Sequence, residues 1–188
     1  MIKKIIIFLI FVPLIVSAGT QVDSDLALKM LQEQEKHFKQ RVIKLTENVY
    51  VAVGFHGANT SMIVGDDGVI IVDTLMGPTA AGNAFKAFRQ YSDKPVKAII
   101  YTHSHPDHTG GASAFVGKQQ PLVYAMKGFA SAAGVERELG PIMMRRFNRQ
   151  FGRKLPPNQM TNRGVAAAAT IDKDRGKGHI PPSVTING

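Results

Sequence analysis

Three of the chain's six histidines fall within six positions, in Thr102-His103-Ser104-His105-Pro106-Asp107-His108-Thr109-Gly110-Gly111. Neutral imidazole and carboxylate are donors that zinc takes at about 2.0–2.2 Å, and iron and manganese accept the same set. Residues two apart on an extended segment point the same way, so the spacing predicts that His103 and His105 converge on one cation. Pro106 prevents the strand from continuing and turns the chain, which predicts that Asp107 and His108 face a second cation on the other side of the loop. The competing reading is a polar surface loop whose histidines merely titrate. Clustering of this density at the end of a buried strand favours the metal site. Gly110 and Gly111 are expected to let the backbone turn tightly into the next helix.

The elements that must position this loop are readable on either side of it. Strand-like runs over Val42 to Leu45, a turn at Glu47-Asn48, Val49 to Val53, Met62 to Val64, a hairpin turn at Asp66-Asp67-Gly68, and Val69 to Val72 describe an antiparallel meander. Pro78 opens a helix with Ala81, Ala84, Phe85 and Phe88 on one face, ended by Lys94-Pro95. Val96 to Tyr101 then reads as a buried strand leading straight into the histidine loop. Leu122 to Ala125 is one more short strand, and Ser131 to Phe151 is helical material divided near Gly140-Pro141. Beyond Phe151 glycines and prolines are scattered without a sustained period, and the stretch reads as loop. There is no internal repeat.

Composition narrows the chemistry. The 188 residues carry 44% hydrophobic and 20% charged side chains, enough for a core and too apolar for disorder. The absence of cysteine removes disulfide scaffolds, thiolate metal centres and a catalytic thiol together. Residues 1–18 have the pattern of a secretory signal peptide: Lys3 and Lys4, a twelve-residue run from Ile5 to Val16 broken by Pro13, then Ser17-Ala18 before Gly19. The run falls short of the ~20 residues a membrane-spanning helix needs. Cleavage after Ala18 would leave no stable membrane anchor and place the protein in the periplasm or outside the cell; an uncleaved membrane anchor is the alternative. Residues 19–40 read as an N-terminal arm or short surface helix, and 41–188 as one domain. The net charge is +9; the basic cluster from Arg145 to Lys154 lacks interleaved aromatics apart from Phe147 and Phe151, and export also argues against nucleic acid as a partner.

The histidine loop, preceded by the meander ending in Ile70-Ile71-Val72-Asp73-Thr74, resembles the metallo-β-lactamase superfamily. Ala58 to Gly68, Lys97 to His105, Gly140-Pro141, Arg145-Arg146 and Gln150 to Pro156 are similar to its alkylsulfatase branch. The resemblance implies an α/β fold, the αββα sandwich, with the N-terminal half of it encoded here. It implies two zinc ions per complete site, one on His103 and His105 and one on Asp107 and His108, with Asp107 also in the catalytic set. Asp73 would support the site from behind the ligands, and a metal-bound hydroxide would hydrolyse an alkyl sulfate ester such as dodecyl sulfate. A two-metal site holds the anionic group and stabilises a leaving oxygen. The partner expected is a small anionic ester, and the full-length family implies a homodimer.

The resemblance also implies further carboxylate and histidine ligands from beyond the matched region, so weak metal binding and little turnover are expected of these 188 residues alone. Glu136 and Glu138 on a helical segment, and His179 in loop sequence, read as solvated surface rather than as replacement ligands. The alternatives kept are a hydrolase of the same fold acting on a β-lactam or thioester and, outside enzymes, a truncated, inactive secreted binding protein. His56, in Gly54-Phe55-His56-Gly57, reads as a turn histidine, with a substrate contact at the active-site face as the alternative, and His37 reads as exposed. Arg145, Arg146, Arg149, Arg153 and Lys154 form a basic cluster, either a solvated helix face or an attractor of anions. Met143, Met144 and Phe147 read as core packing, with an alkyl-chain pocket as the alternative.

Overall fold

A computed structural model describes residues 24–118, 120–129, 138–152, 154–156, 160–166 and 173–187. The signal-peptide segment, Glu136 and Arg153 lie outside the described residues. Among those described, no helix is long and apolar enough to cross a membrane. The N-terminal arm is a helix, α1 (Ser24–Glu35), followed by a 3₁₀ turn over Lys36–Phe38.

Seven strands form one sheet in chain order: β1 (Arg41–Lys44), β2 (Val49–Val53), β3 (Thr60–Val64), β4 (Val69–Val72), β5 (Val96–Ile100), β6 (Leu122–Met126) and β7 (Val184–Ile186). The first four pair antiparallel, as the expected meander requires, and β4 to β7 pair parallel. The turn at Gly65 to Gly68 is closed by a 2.8 Å bond from Gly65 N–H to the Gly68 carbonyl. Parallel neighbours need a crossover, and α2 (Pro78–Phe88) supplies it between β4 and β5.

Alternation along the strands decides which face is buried. Tyr50, Ala52, Met62, Ile71, Ile99, Val123 and Ala125 join Ala81, Ala84 and Phe88 of α2 and Phe115 in one core. Full burial of side chains such as Ile71 and Phe88 contributes roughly 1.5–3 kcal/mol each. The intervening Val51, Ile63, Ile70, Val72, Ile100 and Tyr124 stay half-exposed. The described residues thus build a mixed α/β body, with a helical layer packed on one face of the sheet.

Three differences from the expected elements have physical causes. The crossover helix stops at Phe88, where Arg89 N–H still bonds the Phe85 carbonyl, and a turn carries the chain to Pro95. The stretch after Phe151 is not all loop, because Val184-Thr185-Ile186 joins the sheet beside β6. Three residues behind Pro181-Pro182 are too short to show a period, and their pairing is dictated by the neighbouring strand. Met143, Met144 and Phe147 are not core: α4 (Gly140–Gln150) has no buried residue.

Candidate metal site and adjoining cavity

Ligands in open parallel sheets gather at the carboxyl ends of strands, and here β4 and β5 end side by side, Val72 opposite Ile100. Asp73 follows β4, and the Thr102–Gly111 loop follows β5. The loop before β3 reaches the same edge, because β3 runs antiparallel to β4 with Ser61 opposite Val72. That brings His56 to the site from a segment distant in sequence.

Asp73 is buried, at 7% exposure, and organises what surrounds it. Its Oδ1 accepts the Thr102 N–H at 2.9 Å, and its Oδ2 accepts the Thr102 hydroxyl at 2.8 Å. The same Oδ2 lies 2.7 Å from His108 Nδ1. An ionised carboxylate accepts and does not donate, so His108 Nδ1 carries the proton and Nε2 presents a lone pair. Thr102 has already given its hydroxyl proton to Asp73, so its oxygen accepts from His103 Nδ1, 3.0 Å away. His103 therefore also presents Nε2. One carboxylate fixes two imidazole tautomers, the arrangement that orients metal-ligating histidines.

The rings form a single group: His103 lies 4.5 Å from His105 and 4.0 Å from His108, centroid to centroid. The expectation that His108 would turn to the opposite side of the loop from His103 is not what the structure shows. Pro106–Thr109 coils into one helical turn, α3, which brings the His108 ring back against His103. Asp107 Oδ2 stands 3.6 Å from His108 Nε2. Among the described residues no three His, Asp or Glu side chains close around a common point. The donor set nevertheless fits zinc in kind, three imidazoles and a carboxylate, two of the rings with tautomers fixed for ligation.

Electrostatics differ ring by ring. Burial opposes charge on His108, but the hydrogen bond and charge of Asp73, with Asp107, outweigh it and raise its pKa. His103 is lowered, first by burial and then by the neighbouring His108 and His105, which favours the neutral form that ligates.

Gly110 and Gly111 serve a purpose other than the expected turn. Their φ values of −75° and −109° are open to any residue. What they supply is space: a Cβ on Gly110 would overlap the Met76 carbonyl, and one on Gly111 the Thr74 carbonyl. The loop helix thereby sits directly against the turn after β4, where Gly110 N–H bonds the Leu75 carbonyl at 3.0 Å.

A cavity of about 870 Å³ opens beside the loop, lined by Ser104, His105 and Asp107, by Met76, by His56 and by Met143, Arg146 and Phe147 of α4. His56 is therefore more than a turn histidine. It is half-buried against this cavity, and its pKa is lowered by burial, with Asp107 raising it and Arg163 and Arg175 lowering it. Arg163 and Arg175 went unnoticed in the sequence, because the glycine- and proline-rich stretch holding them has no period to place them. Glu138 and His179 are exposed, as expected, although the His179 ring stacks 5.9 Å from Tyr101. His37 is also exposed.

The mixed sheet, with the His-x-His-x-Asp-His loop and the buried Asp73 at the ends of β4 and β5, defines the class of mixed α/β fold adopted here. The family model of the metallo-beta-lactamase superfamily matches residues 53–176, and the chain belongs to that superfamily. It is similar to an alkyl/aryl-sulfatase of Saccharomyces cerevisiae, 36% identical over 124 residues that cover 62% of this chain and 19% of that protein. A linear primary-alkylsulfatase of Pseudomonas sp. (strain ATCC 19151) is 39% identical over 97 residues, 48% of this chain and 18% of that one. The solved structure of a stereoselective inverting sec-alkylsulfatase from Pseudomonas sp. superposes with a TM-score of 0.65 at 26% identity, over 85% of this chain and 26% of that chain. The chain thus spans about a fifth of the length of these curated relatives.

Proposed function

We propose that this chain carries the metal-binding part of a binuclear zinc hydrolase acting on alkyl sulfate esters, dodecyl sulfate among them. His103 and His105 would hold one ion, and Asp107 and His108 the other. The observation that carries the reading is the Asp73 carboxylate, which leaves Nε2 of both His103 and His108 free to ligate. The similarity to three alkylsulfatases supports the choice of ester. Zinc would supply Lewis acidity toward water and toward the ester oxygens. Within the chain, Asp73 holds the proton on His108 Nδ1, Thr102 holds the one on His103 Nδ1, and Asp107 turns its carboxylate toward the cavity that receives the ester.

We also propose export, with residues 1–18 removed; the mass of the mature N-terminus tests it, and an intact Met1 on the secreted protein would overturn it. The site is tested by zinc affinity, read from competition with a chromophoric chelator, for the wild type and for His103→Ala with His105→Ala, and by sulfate release from dodecyl sulfate in a chimera that adds the C-terminal remainder of an alkylsulfatase relative. Weak zinc binding by the wild type, lost in the double variant, is the expected result. Equal affinity in both, or sulfate release by the chimera unchanged by the double substitution, would refute the ligand set.

A further inference from the structure

The cavity beside the histidine loop is chemically two-sided. Its apolar part is Met76 with Met143 and Phe147 of α4, and its charged part carries more guanidinium than carboxylate: Arg146, Arg163 and Arg175 against Asp107, among the described residues. A half-buried arginine is costly unless something compensates its charge. Arg163 is such a residue, and its Nε is shielded from solvent with no hydrogen-bond partner among the described residues.

The backbone that presents these groups is held in place. The Arg163 N–H bonds the Ala166 carbonyl at 2.9 Å, and neighbouring Asn162 ties this turn to α1 through a 2.6 Å bond from its Nδ2 to the Leu31 carbonyl. Arg175 sits between Asp174, whose Oδ2 accepts Thr79 N–H and hydroxyl at 2.9 and 2.8 Å, and Gly176, whose N–H bonds the Met76 carbonyl at 2.8 Å. Two segments that read as loop in the sequence are therefore fastened to α1 and α2, and each contributes an arginine to the lining of the same cavity.

We propose that Arg163 and Arg175 form an anion subsite across from the Ser104–Asp107 segment, holding the acidic head group of an amphiphile whose apolar tail lies against Met143 and Phe147 of α4. Planar guanidinium groups suit the oxygens of a sulfate or sulfonate, to which they donate paired charge-assisted bonds. Clustered positive charge in a low-dielectric cleft also raises the local concentration of anions. His56 lies within reach of the same field, since both arginines act on it. The choice of a sulfate-type head group rests on the function proposed above; the anion subsite itself does not require metal.

That independence makes the test separable from the test of the metal ligands. The full chain, freed of metal with a chelator that is then removed, is titrated calorimetrically with n-octyl sulfonate below its micellar concentration. Octyltrimethylammonium gives the same tail with the opposite charge, and inorganic sulfate gives the charge without the tail. Binding of octyl sulfonate that weakens with salt is expected, with octyltrimethylammonium not bound and sulfate bound more weakly. Arg163→Gln and Arg175→Gln should each lower the affinity on the order of tenfold, since each removes a charge-assisted bond. Lys118→Gln, at an exposed cation away from the cavity, should leave it unchanged. Arg175 is exposed, so its substitution reads the subsite without threatening the fold. No binding of octyl sulfonate by the wild type, equal binding of the cationic amphiphile, or unchanged affinity in the Arg163→Gln, Arg175→Gln double variant would overturn the proposal. No zinc bound by the wild type, or zinc binding unchanged by His103→Ala with His105→Ala, while octyl sulfonate binding stays intact, would instead overturn the metal ligands and leave this subsite standing.

Discussion

Asp73→Asn is the most exacting perturbation of the site, because it keeps the shape and removes the charge. The carboxylate accepts three hydrogen bonds, from Thr102 N–H, the Thr102 hydroxyl and His108 Nδ1. If the amide oxygen takes the place of Oδ1, the NH₂ group meets two partners that presently donate. His108 must then shift its proton to Nε2 in order to accept at Nδ1. The Thr102 hydroxyl must turn its proton to His103 Nδ1, moving that ring's proton to Nε2 as well. If the amide is flipped, its NH₂ opposes the Thr102 N–H. Either way a bond to a charged acceptor is lost at a buried position, about 1.5–3 kcal/mol of stability. Zinc affinity should fall about 10- to 100-fold, the usual cost of losing the partner of a ligating histidine. Long-range ¹⁵N–¹H spectra of the metal-free protein report the tautomers directly, and competition with a chromophoric chelator gives the affinity. Nδ1–H retained on His108 in the variant, together with zinc affinity within about twofold of wild type, would refute the reasoning.

Thr102→Val keeps the side-chain shape and removes the hydroxyl, so His103 should lose its fixed tautomer while His108 keeps Nδ1–H; a His103 spectrum identical to wild type would contradict the relay. Gly110→Ala places a methyl group into the Met76 carbonyl, and thermal unfolding should show at least the 1–3 kcal/mol loss typical of overpacking; an unchanged midpoint would mean that the two backbones are not in contact. Asp174→Ala removes the acceptor at the start of α2 and should cost about 1 kcal/mol, the scale of a lost helix cap. In limited proteolysis the segment around Arg175 should be cut sooner in that variant, and equal cleavage rates would count against its docking.

The parts of the fold that repeat were legible in the sequence. Short apolar, β-branched runs such as Val49 to Val53 and Val69 to Val72, punctuated by the Asp66-Asp67-Gly68 turn, marked the meander, and Pro78 with the spacing of Ala81, Ala84 and Phe88 marked the crossover helix. His103, His105, Asp107 and His108 stood out because chemistry demands those types in a short space. What stayed hidden depends on contacts between distant segments. Val184 to Ile186 is a strand because β6 offers a free edge, and Arg175 reaches the cavity because Asp174 meets Thr79, 95 residues away. Gly110 and Gly111 could be picked out as necessary, but the reason, a close approach to Thr74 and Met76, exists only in three dimensions.

The turn after β4 shows why that edge, rather than the loop alone, makes the site. Asp73 and Leu75 both adopt positive φ, +57° and +62°, uncommon for residues other than glycine. Such backbone costs of order 1–3 kcal/mol at each position and persists only where its surroundings over-determine it. The surroundings here do so: Asp73 N–H bonds the Ile100 carbonyl at 2.9 Å, Thr60 donates to the Asp73 carbonyl at 2.7 Å, and Leu75 is fully buried. Thr74 then gives both its N–H and its hydroxyl to the His108 carbonyl, at 2.7 and 3.0 Å. The strained turn thus grips His108 twice, by its backbone through Thr74 and by its ring through Asp73. Ring orientation and loop position cannot drift independently, and damage to the core beneath Leu75 must reach the imidazoles as surely as a substitution among them.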